Sequence, residues 1–231
     1  MLFTRLLKNK IEELLFKGIF RRSEDILALQ YLTPLSSVYL PWSQSAMRPS
    51  AIVGILNEII VNNRLCIVEC GGGISTNYIA RILKNREGHL YTIEHDAIWA
   101  EHITEFLESE NLQKFVTVIC APLKECDISL DSSYWYDEDI IAKFLSEDMI
   151  DLIVIDGPPA YQRGQELSRY PALPKFKKYL KEDFCIILDD IDRPDEKKIV
   201  RMWEKNLGII FEKRYINGNI AIGRSRGFFT V

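Results

Sequence analysis

From residue 65 onward the chain alternates short, unbroken apolar runs with amphipathic stretches, and this alternation constrains the fold more than any other feature. The runs are Leu65 to Glu69, Leu90 to Glu94, Phe115 to Cys120, Leu152 to Asp156 and Phe184 to Asp189. A strand with one wet face alternates apolar and polar residues, whereas a continuous run fits a strand covered on both faces. Buried strands separated by helical stretches build a mostly parallel, doubly wound sheet. Two further runs, Ile209 to Ile216 and Asn219 to Arg224, flank Asn217-Gly218, a pair suited to a tight hairpin turn. The predicted fold class is α/β, with a mostly parallel seven-stranded sheet ending in an antiparallel hairpin. The last helix is marked by Asp192 before it, Pro194 at its opening and Gly208 at its end, with Ile199, Trp203 and Leu207 along one face.

The N-terminal part reads differently. Residues 1 to 30 have a helical pattern, and MLFTRLLKNKIEELLFKGIFRR forms a basic amphipathic helix with Phe3, Leu7, Ile11, Leu14 and Leu15 near one face. Charges interrupt every apolar run, so the segment is not read as a signal peptide, and no stretch reaches the length that spans a bilayer. Two readings stand for this helix: a cap on the domain or a homodimer interface, and peripheral attachment to an anionic membrane. Glu12 and Glu13 favour the first, because they weaken attraction to anionic lipid. Residues 31 to 50 are rich in Pro and Ser and predict an ordered loop, followed by a helix from Pro49 to Asn62. The expected organisation is an N-terminal helical extension and lid loop over 1–48 and an α/β domain over 49–231. The net charge of −4 argues against nucleic acid as a partner, since phosphate binding needs a basic footprint. Five cysteines with no CxxC spacing indicate neither a disulfide framework nor a zinc site, and place the protein in a reducing compartment, the cytoplasm.

In open α/β sheets ligands bind beyond the carboxyl ends of the strands. The first strand ends in Glu69-Cys70-Gly71-Gly72-Gly73-Ile74-Ser75-Thr76. Glycines there let the backbone approach a ligand, and the helix starting near Ser75 offers free N–H groups. The dinucleotide pattern GxGxxG fails at Thr76, and an acid beside a pyrophosphate is unfavourable; Glu69 suits a ligand with a cationic amino group. Glu94, at the end of the second strand, can accept both hydroxyls of a ribose, and His95 follows it either as a neighbour of the ligand or as a surface histidine. Ala121-Pro122-Leu123 follows the third strand and Trp135 comes later, either walling an adenine ring or filling the core. Asp156, Asp189 and Asp190 stand at two neighbouring strand ends. Clustered carboxylates repel unless neutralised, and a divalent cation such as Mg²⁺ is one solution. Alternatively, Asp156 serves the cofactor region while the others cap the next helix or pair with Arg193. A candidate substrate site lies between Ser43-Gln44-Ser45 and the loop Pro158 to Pro174, with Tyr161, Arg163, Arg169 and Arg193 as substrate-binding candidates.

The set ECGGGIST, TIEHD, APL, WYD, DLIVIDGPP, RYPALP and LDDIDR resembles the class I S-adenosylmethionine-dependent methyltransferases, and more narrowly a bacterial group related to catechol-type and sugar O-methyltransferases. The similarity runs from about Leu40 to Arg224. It implies a Rossmann-like fold, with Glu69, Gly71 and Gly73 facing the methionine end of S-adenosylmethionine, Ser75 nearby, Glu94 on the ribose and Ala121 to Leu123 beside the adenine. It further implies a metal held by Asp156, Asp189 and Asp190, with Asp156 and Asp189 as catalytic candidates. The chain departs from the catechol pattern at Gly157-Pro158-Pro159, where the lysine base of that group is missing. The implied activity is methylation of a hydroxylated small molecule or sugar. An aminopropyltransferase of the same fold shares the glycine loop and the second-strand acid, but its polyamine acceptor suits the Arg-bearing loop poorly. A nicotinamide-dependent oxidoreductase is disfavoured by the glycine spacing. A non-catalytic cofactor-binding module is disfavoured by three strand-end acids.

Overall fold

The structure, a computed structural model, describes residues 2–36, 38–128, 130, 134–147 and 149–226, with side chains described from residue 15 onward. Its centre is a seven-stranded sheet made of β1 (Cys66–Cys70), β2 (His89–Glu94), β3 (Val116–Cys120), β6 (Ile150–Ile155), β7 (Leu180–Leu188), β8 (Phe211–Arg214) and β9 (Ile220–Arg224). Two short strands, β4 (Leu123–Glu125) and β5 (Tyr134–Tyr136), pair separately. The spatial order is β3-β2-β1-β6-β7-β9-β8. The first five strands in that order are parallel, and β9 runs antiparallel to both β7 and β8. The sheet is thus mostly parallel with an antiparallel hairpin at one edge.

Successive side chains of a strand point to opposite faces, and here both faces are covered. Val68, Ile153 and Ile186 join one core with Phe176 and Trp203, while Ile67, Leu152 and Ile187 join the other with Ile55, Ile59 and Ile79. The helices supplying these covers are α2 (Pro49–Val61), α3 (Ile74–Leu83), α4 (Ala97–Ser109), two short ones, α5 (Glu138–Ile141) and α6 (Ala172–Phe176), and α7 (Pro194–Leu207). Every residue of β6 is buried, which is why its run carries no polar alternation except Asp151. Asp151 accepts from the backbone N–H groups of Leu65 and Cys66 and pairs with Lys181 at 3.0 Å, so its charge is satisfied where the strand begins.

The chain winds outward from β1 through β2 to β3, then returns to β6 on the other side of β1. The switch point lies between β1 and β6, and their carboxyl ends open a crevice there.

The hairpin is wider than the sequence predicts. Instead of a two-residue turn at Asn217-Gly218, residues 215–219 separate β8 from β9, with Gly218 and Asn219 at φ of +92° and +62°. Distant partners cause this. Gly218 donates to the Ser50 hydroxyl at 3.0 Å and lies against the backbone of Ala51, while Arg21 and Arg48 reach the carbonyls of Tyr215 and Ile216.

The N-terminal helix α1 (Leu2–Leu32) ends two residues beyond the expected residue 30 and is followed by a 3-10 turn over Thr33–Leu35. It docks through Arg21, which pairs with Asp192 at 2.9 Å, and Asp25, which accepts from Ser50 and pairs with Arg48 at 2.9 Å. Ala28 and Leu32 are buried on the same face. The apolar face expected at Phe3, Leu7, Ile11 and Leu14 lies outside the described side chains; Leu15 is exposed. Among the described residues no helix is long and apolar enough to cross a membrane.

Candidate active site

The crevice holds a cavity of about 700 Å³. Its floor is made by the loops after β1 and β6, which meet backbone to backbone. Gly71 adopts φ +87°, and a Cβ on it would fall 2.9 Å from the Gly157 nitrogen. A Cβ on Gly157 would fall 2.3 Å from the Tyr136 hydroxyl and 2.9 Å from the Gly71 Cα. Close approach therefore requires glycine at both positions, and at Gly71 the backbone angle requires it as well.

Glu69 holds this loop from beneath. It is 0 % exposed, and its carboxylate accepts from the hydroxyls of Ser75 at 2.5 Å, Thr76 at 2.5 Å and Thr92 at 2.8 Å. Thr76 in turn accepts from the Gly73 N–H at 2.9 Å, tying the loop to the first turn of α3. Burial pushes the Glu69 carboxyl up to about 7, against the three hydroxyls that favour its charged form. Glu69 was expected at the methionine end of the cofactor; it is instead a buried brace, because three hydroxyls from α3 and β2 enclose both its oxygens.

Glu94 is buried at the end of β2 and lines the cavity. Its Oε1 accepts from the N–H groups of His95 and Asp96 at 2.7 and 2.9 Å and lies 2.7 Å from His95 Nδ1. That hydrogen bond raises the His95 imidazole above its ordinary value. Oε2 has no protein partner among the described residues. Trp99, in the first turn of α4, donates from Nε1 to the Gly72 carbonyl at 2.8 Å and also lines the cavity.

At the ends of β6 and β7 stand Asp156, Asp189 and Asp190, with carboxylate oxygens within 4.8 Å of one another. The side chain of Arg169 enters this cluster. Its Nη2 lies 3.1 Å from Asp156 and 3.2 Å from Asp190, and its Nη1 lies 3.9 Å from Glu196. Arg193 pairs with the same Asp190 at 2.8 Å and with Glu196 at 3.5 Å. Burial raises the Asp156 carboxyl, with Arg169 opposing, and raises Asp189 well above the usual range with the charges of Asp156 and Asp190 adding. Asp190 itself sits at φ +61°, an unusual backbone state that Asp tolerates better than most residues.

The cavity is lined by Gly71, Gly73, Ser75, Glu94, His95, Asp156, Asp190, Tyr161, Arg169 and Arg193 from the sequence-based set, together with Ser43, Gln44 and Ser45. Other expected residues are placed elsewhere. Trp135 is 1 % exposed and packs on Tyr136 and Phe176 in the core, so it forms no wall for a ring. Ala121, Pro122 and Leu123 stand next to Glu94, with the Ala121 N–H donating to the Glu94 carbonyl at 2.8 Å, but they do not line the cavity. Asp189 is 4 % exposed and lies behind Asp156 and Asp190 rather than on the cavity surface. Arg163 points its residue outward, exposed and away from the lining, while Arg169 is committed to carboxylates and has no vacant fork for a substrate anion.

Tyr136 was missed. It lines the cavity, is 2 % exposed, and its hydroxyl has no hydrogen-bond partner among the described residues. Burial pushes the phenol well above its ordinary value, so it stays a donor. The sequence signal was present but attached to its neighbour: in the triplet Tyr134–Tyr136 adjacent side chains take opposite sides, and Trp135 takes the core.

A switch-point crevice with a glycine floor and a buried strand-end acid defines an α/β protein that binds a nucleoside-bearing cofactor. A family model described as a methyltransferase domain matches residues 68–191, more than half of the chain. The chain belongs to this family and is an S-adenosylmethionine-dependent methyltransferase. Solved structures share the fold at low identity. The methyltransferase PaMTH1 of Podospora anserina, bound to S-adenosylhomocysteine, is 11% identical over 88% of each chain with a TM-score of 0.61. TomG of Streptomyces achromogenes, an O-methyltransferase of tomaymycin synthesis in complex with S-adenosylmethionine, is 16% identical over 88% of this chain and 90% of its own, TM-score 0.53. The O-methyltransferase of Bacillus cereus in complex with S-adenosylhomocysteine is 19% identical over 87% and 90%, TM-score 0.51. No curated protein sequence matches the chain.

Proposed function

We propose that the enzyme methylates a hydroxyl oxygen of an uncharged, hydroxylated small molecule or sugar. The observation that carries this reading is the charge state of the cavity wall. Both arginines that line it, Arg169 and Arg193, are already paired with Asp156, Asp190 and Glu196. Among the described residues an anionic acceptor finds no unneutralised guanidinium there, whereas Ser43, Gln44, Ser45 and Tyr161 offer neutral hydrogen-bonding groups.

The cavity fits S-adenosylmethionine on features of this chain. The Gly71–Gly73 floor admits a ligand close to the backbone, the first N–H groups of α3 are free of helical partners, and Glu94 Oε2 is available to ribose hydroxyls. When bound, the cofactor supplies a methyl group already activated by its sulfonium. The remaining work of the chain is to position the acceptor and accept its proton. Asp156 is the group in this reading that takes the hydroxyl proton as the new C–O bond forms. Of the two strand-end acids that line the cavity, Asp156 is held by one arginine and Asp190 by two, and burial raises the Asp156 carboxyl. Asp189, behind it, shares its charge environment. The five free thiols fit a reducing compartment, the cytoplasm. Residues 49–231 form the catalytic domain in this reading, and the helical extension serves assembly as a homodimer.

The test is methyl transfer from labelled S-adenosylmethionine to a panel of neutral sugars and phenols and their carboxylated or phosphorylated counterparts. A neutral member should be methylated at oxygen, and Asp156→Asn should lower kcat by about 10²–10⁴-fold with little change in cofactor affinity. Transfer restricted to the anionic members would overturn the reading.

A further inference from the structure

We propose that Arg169 is a built-in counter-cation standing where a divalent metal would otherwise be needed, so that the acid cluster at the ends of β6 and β7 works without one. This rests on the methyltransferase reading above but concerns the cluster alone. Asp156, Asp189 and Asp190 have the donor set and the spacing of a hard-cation site, with all three oxygens within 4.8 Å. The residues present do not fit such an ion, because a cation is already there. Arg169 Nη2 lies 3.1 Å from Asp156 and 3.2 Å from Asp190, bridging two strand ends with one nitrogen. A metal bound to the same oxygens would face that guanidinium across them in a poorly screened interior.

Arg169 is also fixed in place. Its side chain is 4 % exposed. Nε approaches the Pro158 carbonyl at 3.4 Å, Nη1 the Asp189 carbonyl at 3.4 Å, and Nη1 faces Glu196 at 3.9 Å. All three nitrogens have acceptors around them, so leaving would strand a buried charge and break the cluster. Two guanidiniums already stand against the cluster, Arg169 between Asp156 and Asp190 and Arg193 at 2.8 Å from Asp190, so a metal on these oxygens would have to displace or face both. The guanidinium suits the task because its planar fork can hold carboxylates from separate segments at once. The second acidic group, Cys126, Asp127 and Glu138, follows the same plan: Lys175 bridges Asp127 and Glu138 at 2.7 and 2.6 Å.

Arg169 is then a positioning residue. It holds Asp156 toward the cavity and supplies the positive charge beside an acceptor oxygen that is losing its proton. The experiment is a titration of the purified, metal-stripped protein with Mn²⁺, followed by electron paramagnetic resonance, with no acceptor or turnover required. The wild type should bind no Mn²⁺ in the micromolar range. Arg169→Met, which vacates the cluster, should gain Mn²⁺ binding, and adding Asp190→Asn to it should remove that gain. Turnover of the wild type should be equal with and without chelator, and Arg169→Met should lose at least tenfold in kcat. Micromolar Mn²⁺ binding by the wild type that Asp190→Asn abolishes would overturn the proposal, as would chelator-sensitive turnover restored by a divalent ion. Because the Mn²⁺ titration of the wild type needs neither a variant nor an acceptor, it decides this point even if Arg169→Met fails to fold or the acceptor class is wrong.

Discussion

Tyr136 shows how one residue can be costly to the empty protein and useful to the loaded one. A buried hydroxyl without a partner forfeits its hydration and gains nothing in exchange, and such groups in a native structure call for an explanation. Its place beside Gly157 and on the cavity wall supplies one: the donor is held for a bound ligand. Tyr136→Phe should therefore stabilise the ligand-free protein by about 1–3 kcal/mol, the cost of an unsatisfied buried polar group. The same variant should bind S-adenosylmethionine or its acceptor more weakly. Urea unfolding and calorimetry on the two proteins give both readings, and a gain in stability with no loss of either affinity would remove the hydroxyl from the site. Residue-scale roles were the least legible part of this sequence. Arg169 reads as a substrate ligand until Asp156, Asp190 and Glu196 are brought around it from three separate segments, and Glu69 reads as a cofactor ligand until Ser75, Thr76 and Thr92 close over it. No spacing rule within one segment encodes either set of partners.

At the scale of elements, the turn from β1 into α3 is stabilised by a buried carboxylate whose proton is linked to folding. The Glu69 carboxyl is raised to about 7 in the folded state by burial, whereas in the unfolded chain it ionises near an ordinary value of about 4.3. Between these values the folded protein binds the proton that the unfolded chain has lost. Stability from this group is therefore present in full below about pH 4.3, falls as the pH rises toward about 7, and is level above that. Glu69→Gln should remove this part of the slope, so that wild type and variant diverge across the window in urea unfolding. Parallel pH profiles would place the ionisation elsewhere. The strands that carry this turn were legible because five β-branched runs are buried on both faces by their own composition, and the structure shifts their ends by only a few residues. The pair β4 and β5 was not, because each strand has three residues, and its closure relies on Lys124 reaching Asp137 across the pair. The hairpin loop was misread for a related reason, since Ser50 and Ala51, far away in sequence, set its width.

For the whole molecule the unresolved economy of apolar surface lies on α1. One face of this helix is docked through Arg21, Asp25, Ala28 and Leu32, which recur every three to four residues. The opposite face carries Leu15, Phe16, Ile19 and Ile26, exposed by 62 %, 61 %, 61 % and 62 %. An exposed apolar patch on the far side of a helix that is already docked marks an association surface. A second copy of the chain is the occupant proposed here. Contacts at Arg21, Asp25, Ala28 and Leu32 already tie residues 21–32 to the domain, so less of the helix has to be ordered when two copies meet, which lowers the entropy cost of association. Replacing Phe16 and Ile19 together by Glu puts like charges into that contact while leaving Arg21, Asp25 and the cavity untouched. The wild type should sediment as a dimer and the double variant as a monomer at the same concentration, with affinity for S-adenosylmethionine unchanged. Co-sedimentation of the wild type with anionic vesicles, lost in the variant, together with a monomeric wild type in solution, would assign the face to a lipid surface instead. An unchanged dimer in the double variant would move the interface to another part of the fold.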